Sequence, residues 1–308
     1  MIDPRLRVLQ VVAHRGTVTA AAESLSYSPS AVSHQLRQLA DDLGVPLLEP
    51  SGRGVRLTEQ ARIVLRHAEI LFAQAERAYA DLAADTTSGT FTLCGFSTAA
   101  ANLLPAAAAA VRGAFPQLGI RVIESEPARC LDLLLTGEAD LALVAATADL
   151  PATTDHRFDQ RHLFDDPLDL VVPTDHPLAG RRKTALADAA GEPWIVSRPD
   201  SPYHPLMVSA CLTAGFAPNV AHYADEWDTG LALVSAGLGI TLIPRTTRIH
   251  SDWAVVRVPL RGRAKPVRSV SSLTRMGARE RATVATALAA IEEEIRRMTS
   301  TATAPPNT

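Results

Sequence analysis

Ser30, Ser33, His34 and Arg37 are spaced so that a helix through them carries two hydroxyls, an imidazole and a guanidinium on one side. Short or forked hydrogen-bonding groups of this kind suit base edges and phosphate oxygens in the major groove of a duplex. Val32, Leu36 and Leu39 recur on the other side at helical spacing, where they would meet a core. Ser28 precedes Pro29, placing a hydroxyl that accepts a backbone N–H just before a proline whose missing donor is harmless at the first helical position. At the tip of the same surface, Ser28 joins the groove-facing candidates. Downstream, Gly52-Arg53-Gly54-Val55-Arg56-Leu57 sets two glycines at a tight hairpin tip, with Arg53 and Arg56 flanking it as phosphate or minor-groove contacts. A polar helix face alone would suit any amphipathic surface helix. Joined to the glycine-arginine wing, it describes a winged helix-turn-helix.

The elements that must hold these side chains lie on either side. Residues 19–25 form an alanine-rich run whose small side chains let a second helix approach closely, and Ser26-Tyr27-Ser28 breaks it. After the wing, Leu57, Ala61, Val64, Ala68, Leu71, Ala75, Ala78 and Leu82 alternate steps of four and three, a heptad seam. It predicts a linker helix that pairs with a second copy, the alternative being a seam packed on its own domain. Residues 85–89 favour turns and read as a hinge. Beyond it, short apolar runs at 91–95, 120–123, 140–145, 168–172, 194–196, 220–223, 240–243 and 255–258 alternate with helical runs at 106–114, 128–136, 206–214 and 229–235. That alternation predicts parallel sheets covered by helices, an α/β domain. Proline and charge clusters near 165–167 and 261–266 suggest that the chain leaves one lobe and returns to it.

Composition narrows the function. A chain of 308 residues, 47% of them hydrophobic, supports a small headpiece and a larger core. The net charge of -3 argues against indiscriminate nucleic-acid binding, yet residues 1–66 carry eight arginines against six acidic residues. So modest an excess implies two headpieces acting together. Cys94, Cys130 and Cys211 form no ligand or redox spacing and read as buried, reduced thiols. Asp3, Arg5 and Arg7 interrupt any signal-like start, and no segment is long and apolar enough to span a bilayer, so a cytoplasmic protein is expected. No GxSxG elbow, phosphate loop, HExxH or dinucleotide fingerprint occurs, and Gly237-Leu238-Gly239 ends a helix instead of opening one. No enzyme, cofactor or metal is expected. The rival reading is a solute-binding module or a binding-protein-like enzyme without a DNA role, which leaves the headpiece unexplained.

The run TAAAESLSYSPSAVSHQLRQL, followed by LGVPLLEPSGRGVRLTEQA, resembles the amino-terminal pattern of the LysR-type transcriptional regulators, and GEADLALV, DHPL and AGLGITLIP resemble strings of their effector domain. The resemblance covers essentially the whole chain. It departs at Pro29, where members commonly carry Gln, at Ala40, where they carry Glu, and at Pro50, where an Arg often follows Phe-Glu. The resemblance implies a DNA-binding domain at 1–58, a dimerisation helix at 59–84, the hinge at 85–89, an effector domain at 90–300 and a flexible tail at 301–308. The effector domain would be a two-lobed, periplasmic-binding-protein-like α/β fold, with lobe I at about 90–167 and 266–298 and lobe II at about 168–265.

In such folds ligands sit beyond the carboxyl ends of strands. Ser97 and Thr98 follow the first strand end, where Ser97 is equally a helix cap; the resemblance favours an effector contact. Ser197, Arg198 and Ser201 follow the strand at 194–196 and suit an anion, whereas Asp225, Glu226 and Trp227 suit an amine or an aromatic face. The effector's identity stays open. The expected partners are double-stranded DNA bearing an interrupted inverted repeat, a small-molecule effector held between the lobes, and further copies of the chain as a homodimer or homotetramer, with RNA polymerase as an additional candidate.

Overall fold

Asp3 begins the first helix: its carboxylate accepts the Arg5 N–H at 2.9 Å, Pro4 takes the first turn, and α1 (Pro4–Arg15) runs until Gly16 turns left-handed at φ 73°. The sequence reading did not include this helix. Val8, Leu9, Val11 and Val12 on it are buried. The structure, a computed structural model, describes residues 2–51, 54–82, 89–147, 150–262 and 265–301. Helix α2 (Val18–Ser24) is capped by Thr17, whose hydroxyl accepts from the Ala20 N–H at 3.1 Å, and Ala21 and Ala22 are buried on it. Ser28 caps α3 (Pro29–Leu43) by accepting from the Ala31 N–H at 3.2 Å. Strands β1 (Leu48–Ser51) and β2 (Gly54–Leu57) pair antiparallel, with Glu49 opposite Arg56, and form the wing. Val32, Leu36, Leu39, Leu47, Ala61 and Leu65 complete the headpiece core. A fully buried aliphatic side chain of this size stabilises by roughly 1.5–3 kcal/mol.

The long helix α4 (Glu59–Leu82) divides the heptad seam between two faces. Ala61 and Ala68, assigned to the paired face, are buried in the chain's own unit together with Leu65 and Glu76. The seam positions Leu71, Ala78 and Leu82 are exposed, the last by 73%, together with Ile63, Ile70 and Tyr79. The first alanines of the seam are thus taken by the chain's own core, because alanine satisfies either face.

By contacts the chain divides into two compact units: Met1–Val144, Asp149–Arg161 and Ser271–Thr308 make one, and Ala145–Ala148 with His162–Val270 make the other. The first unit holds the headpiece, α4 and lobe I. Lobe I contains β3 (Thr90–Gly95), α5 (Ser97–Asn102), α6 (Leu104–Ala114), β4 (Gly119–Glu124), α7 (Pro127–Thr136) and β5 (Leu141–Ala145). β3 pairs in parallel with both β4 and β5, with Leu93 opposite Val122 and Leu141. β5 is buried along its whole length, as a parallel strand covered on both faces should be.

The second unit is lobe II. It takes the later part of β6 (Phe158–Pro173), followed by β7 (Thr184–Ala185), a 3-10 turn at Leu186–Ala189, β8 (Pro193–Val196), α8 (His204–Thr213), β9 (Asn219–Tyr223), α9 (Trp227–Ser235), β10 (Thr241–Pro244), β11 (Val255–Val258) and β12 (Leu260–Arg261). β10 and β11 pair antiparallel with β6, β8 pairs in parallel with β9, and β12 with β7. Gly239, at φ 153°, brings its backbone so close to the chain at Pro193 that a Cβ would sit 2.6 Å from that carbonyl oxygen. Asp166 and Arg268 form a fully buried ion pair at 2.8 Å, and Asp169 holds Arg245 at 2.6 Å. The chain then returns to lobe I through β13 (Val267–Arg275) and α10 (Ala282–Thr301).

Two elements of this return were not anticipated from sequence. β6 begins ten residues before the apolar run at 168–172, and β13 was not foreseen. Both are rich in charged and hydroxyl residues, and on β13 Arg268, Ser272, Thr274 and Arg275 are buried, so a search for apolar alternation passes over them. Arg275 donates to Glu76 of α4 at 2.6 Å and also reaches Asp140 and the Ala139 carbonyl, fastening α4 to lobe I. The hinge residues 85–88, the wing tip with Arg53 and the tail from 302 lie outside the described residues.

Candidate nucleic-acid interface and effector lobes

The α3 face is built by exclusion. With Val32, Leu36 and Leu39 turned inward, Ser28, Ser30, His34 and Arg37 are exposed and Ser33 is half-buried. Ser28 and Ser30 stand 3.0 Å apart, Oγ to Oγ, so the cap and the face form one continuous hydroxyl edge. Ser26, in the left-handed region at φ 56°, makes the turn between α2 and α3. Arg56 of the wing is exposed but paired with Glu49 at 2.9 Å, a partner that the sequence reading did not assign. An exposed pair of this kind is worth little, so a phosphate can displace the carboxylate. Elsewhere in the headpiece Arg5 is held by Asp3 and Asp42, and Arg7 lies 4.0 Å over the Phe72 ring with its pKa pushed down to about 10 by burial and by Arg275. The arginines counted in the sequence are therefore not equivalent: Arg37 is presented outward, and Arg7 is structural.

In lobe I the strand-end hydroxyls open α5, a helix whose N-cap is Phe96 and which has no side-chain cap. Ser97 is thus the first helical residue and not its cap; it is half-buried, and Thr98 is buried. Ser125, at the end of β4, donates its backbone N–H to the Gly95 carbonyl at 2.9 Å, tying the start of α7 to the same strand end.

In lobe II, Ser197 is buried and its carbonyl lies 2.6 Å from His204 Nδ1. Arg198 is 64% exposed, but its Nε meets Asp225 at 2.6 Å and its backbone N–H donates to the same carboxylate at 2.9 Å. The cation and the anion that the sequence assigned to conflicting effector polarities are therefore partners. Ser201 accepts from the Tyr203 N–H at 3.4 Å, and Glu226 is exposed at the N-cap of α9. The Tyr203 and Trp227 rings pack with centroids 6.0 Å apart beside these residues. Tyr203 and His204 were absent from the sequence-derived set; their only signal was the turn before Pro205.

All three cysteines are free and buried. A hydrogen bond with Cys130, together with burial, pushes the Cys94 thiol upward, and burial pushes Cys211 up to about 11. Protonated thiols are poor nucleophiles. Among the described residues no group of three or more His, Cys, Asp or Glu is placed to hold a metal ion, and no helix is long and apolar enough to cross a membrane.

A winged helix-turn-helix carried with a two-lobed α/β domain defines a DNA-binding regulator with a ligand-sensing module. Residues 4–62 match the family model of bacterial regulatory helix-turn-helix proteins, lysR family, and residues 84–296 match the LysR substrate binding domain. The chain belongs to the LysR family of transcriptional regulators. It is 31% identical over 246 residues to a hydrogen peroxide-inducible genes activator of Pectobacterium carotovorum subsp. carotovorum, covering 78% of each chain. It is 29% identical to the transcriptional dual regulator GltC of Bacillus subtilis, covering 79% of this chain and 80% of GltC. Its fold is similar to that of a full-length OxyR variant from Pseudomonas aeruginosa, with a TM-score of 0.62 at 21% identity, covering 96% of this chain and 95% of that one.

Proposed function

We propose that two headpieces, brought together through the outer stripe of α4, bind an interrupted inverted repeat of double-stranded DNA and that a small effector at the strand ends of the effector domain changes how they bind. The observation that carries this reading is the exposure of Ser28, Ser30, His34 and Arg37 on a helix whose opposite side is fully committed to the core. Ile63, Ile70, Leu71 and Leu82 supply the apolar surface for pairing, as a homodimer or as a homotetramer of two such dimers. Arg53 and Arg56 add phosphate contacts from the wing. The protein works in the cytoplasm beside its DNA, with RNA polymerase as a further partner.

The effector contacts are Ser97 and Thr98 in lobe I and Ser197, Arg198, Ser201 and Glu226 in lobe II. The Arg198–Asp225 pair offers both signs of charge at one strand end, so a ligand can engage either by opening the pair. We infer a reversibly bound ligand and not an oxidant acting on a thiol, because every cysteine is buried, the Cys130 hydrogen bond and burial keep Cys94 protonated, and burial keeps Cys211 protonated. Influence on DNA is then set by the ligand's differential affinity for two arrangements of the protein.

A gel shift with the DNA upstream of the chain's own gene tests the reading. Ser33→Ala and Arg37→Ala should weaken the complex while the melting temperature holds. Ser97→Ala and Arg198→Ala should leave effector-free binding at its parent strength. If both pairs weakened the complex equally, the division between headpiece and effector domain would be wrong. Separately, the native chain treated with hydrogen peroxide should retain three titratable thiols; loss of two would contradict the ligand reading.

A further inference from the structure

The headpiece does not hang from α4 alone. Ser24, the last residue of α2, places its Oγ 3.1 Å from Asp132 Oδ2 on α7 of lobe I, and the two residues are 2% and 3% exposed. The carboxylate can only accept, so the hydroxyl donates, sharing its proton with the Ala20 carbonyl at 3.1 Å. His14 Nε2 and Arg15 Nη1, from the last turn of α1, each lie 3.7 Å from the same carboxylate, and Arg129, one turn earlier on α7, lies at 3.8 Å. Around this polar centre Leu131, Leu134 and Leu135 of α7 share one buried cluster with Val8, Leu9 and Val12 of α1.

Within lobe I the Asp132 carboxylate meets the Arg129 guanidinium at 3.8 Å, a side chain that is itself 41% exposed. An aliphatic residue would bury the α7 face as well, whereas the nearest partner of Asp132, the Ser24 hydroxyl, and two of its three cationic or imidazole neighbours, His14 and Arg15, belong to the headpiece. Buried polar groups of this kind discriminate one docking arrangement from others more than they add stability. The other end of α7 is connected as well: the Ser125 N–H bonds to the carbonyl of Gly95, two residues before Ser97. A short run of packed and hydrogen-bonded groups therefore leads from the strand end of lobe I, along α7, to α2 and its neighbour α3.

We propose that α7 is a docking seat for the chain's own headpiece, with Asp132 as its latch, so that the state of lobe I reaches the recognition helix directly through α1 and α2, in parallel with α4. The latch itself is independent of which DNA is bound; only its consequence for binding rests on the reading of α3 as the DNA-facing helix.

The test uses the full chain with spin labels at Gln38→Cys on α3 and Arg112→Cys on α6, both exposed, while the three buried native thiols stay unlabelled. The labelled chain is diluted with unlabelled chain so that only intrachain distances are read. One narrow distance distribution is expected for the parent. Asp132→Lys, which sets a cation against Arg15, should broaden it. Ser24→Asp, which sets a carboxylate against Asp132, should do the same from the headpiece side and serves if the lysine variant folds poorly. Combining Asp132→Lys with Ser24→Asp should restore the narrow distribution, a rescue that mere loss of packing would not show. A broad distribution in the parent, or an unchanged one in both single variants, overturns the latch. On upstream DNA, unlatched variants should bind a full inverted repeat about tenfold more weakly and a half-site as well as the parent does, because the two headpieces lose their preset geometry. Broadened distances with full-site affinity unchanged would overturn the transmission through α7. Failure of the parent to bind that DNA would instead count against the DNA reading and leave the latch result standing.

Discussion

Arg37 and Arg198 are both exposed arginines beside polar hydroxyl residues, one on α3 and one past the end of β8, yet their surroundings differ. Arg37 projects from a helix whose other face is core, and no carboxylate is paired with it among the described residues. Arg198 is clasped by Asp225 through both its guanidinium and its backbone. The first can meet a phosphate or a base edge without losing anything; the second must release a partner before it can hold an anion. An arginine's exposure therefore says less about its role than what already neutralises it.

The contrast can be broken most severely in lobe II, whose charges are committed to the fold. Arg268→Ala leaves Asp166 buried without its cation and should destabilise the effector domain by about 3–5 kcal/mol, read as a lowered urea midpoint. An unchanged midpoint would mean that this pair does not organise the lobe. In the headpiece, Arg37→Ala should cost about 1–3 kcal/mol of DNA affinity and no measurable stability. Equal losses in both quantities would erase the distinction between the two regions.

A smaller effect comes from His14, whose pKa is depressed by burial and by Arg157, with Arg15 adding to that and Asp132 and Asp155 opposing it. The unfolded imidazole gains its proton near pH 6.5, before the folded one. Stability from this group is therefore complete above that pH and declines as pH falls from it toward the folded value. His14→Gln should flatten that part of the stability profile, measured by thermal melts between about pH 7.5 and 5.5; a profile unchanged in the variant would assign the decline to other groups. The smallest effect is at the wing, where Glu49→Gln frees Arg56 and should strengthen DNA binding by about 0.2–1 kcal/mol at low salt. Weaker binding would show that Glu49 positions the wing.

How much of this was legible in the sequence follows from what each element hides. α3, its cap at Ser28 and its buried Val32, Leu36 and Leu39 could be read directly, because capping chemistry and helical spacing are local. Most strands of the effector domain were equally plain as apolar runs. β13 was not, because Arg268 and Arg275 are buried through ion pairs to Asp166 and Glu76, partners about 100 and 200 residues away in sequence. The seam on α4 was legible at Leu71, Ala78 and Leu82, which stay exposed, but not at Ala61 and Ala68, because alanine packs on either face and only the tertiary partner selects one. The candidate effector residues could be located at strand ends, but the pairing of Arg198 with Asp225 depends on a parallel contact between β8 and β9 that spacing does not reveal. Asp132 sits in the run Cys130-Leu131-Asp132-Leu133 and gave no sign that α1 and α2 would cover it.

The outward face of α3 can be tested at a single position. His34→Cys places a thiol on the exposed side of that helix, against a background of buried native cysteines, and its reaction with a maleimide can be timed with and without upstream DNA. Bound DNA should slow labelling at position 34 by about tenfold or more while a cysteine at Arg112 reacts at its free rate. Equal rates at position 34 in the free and DNA-bound protein would contradict the assignment of this face to the groove.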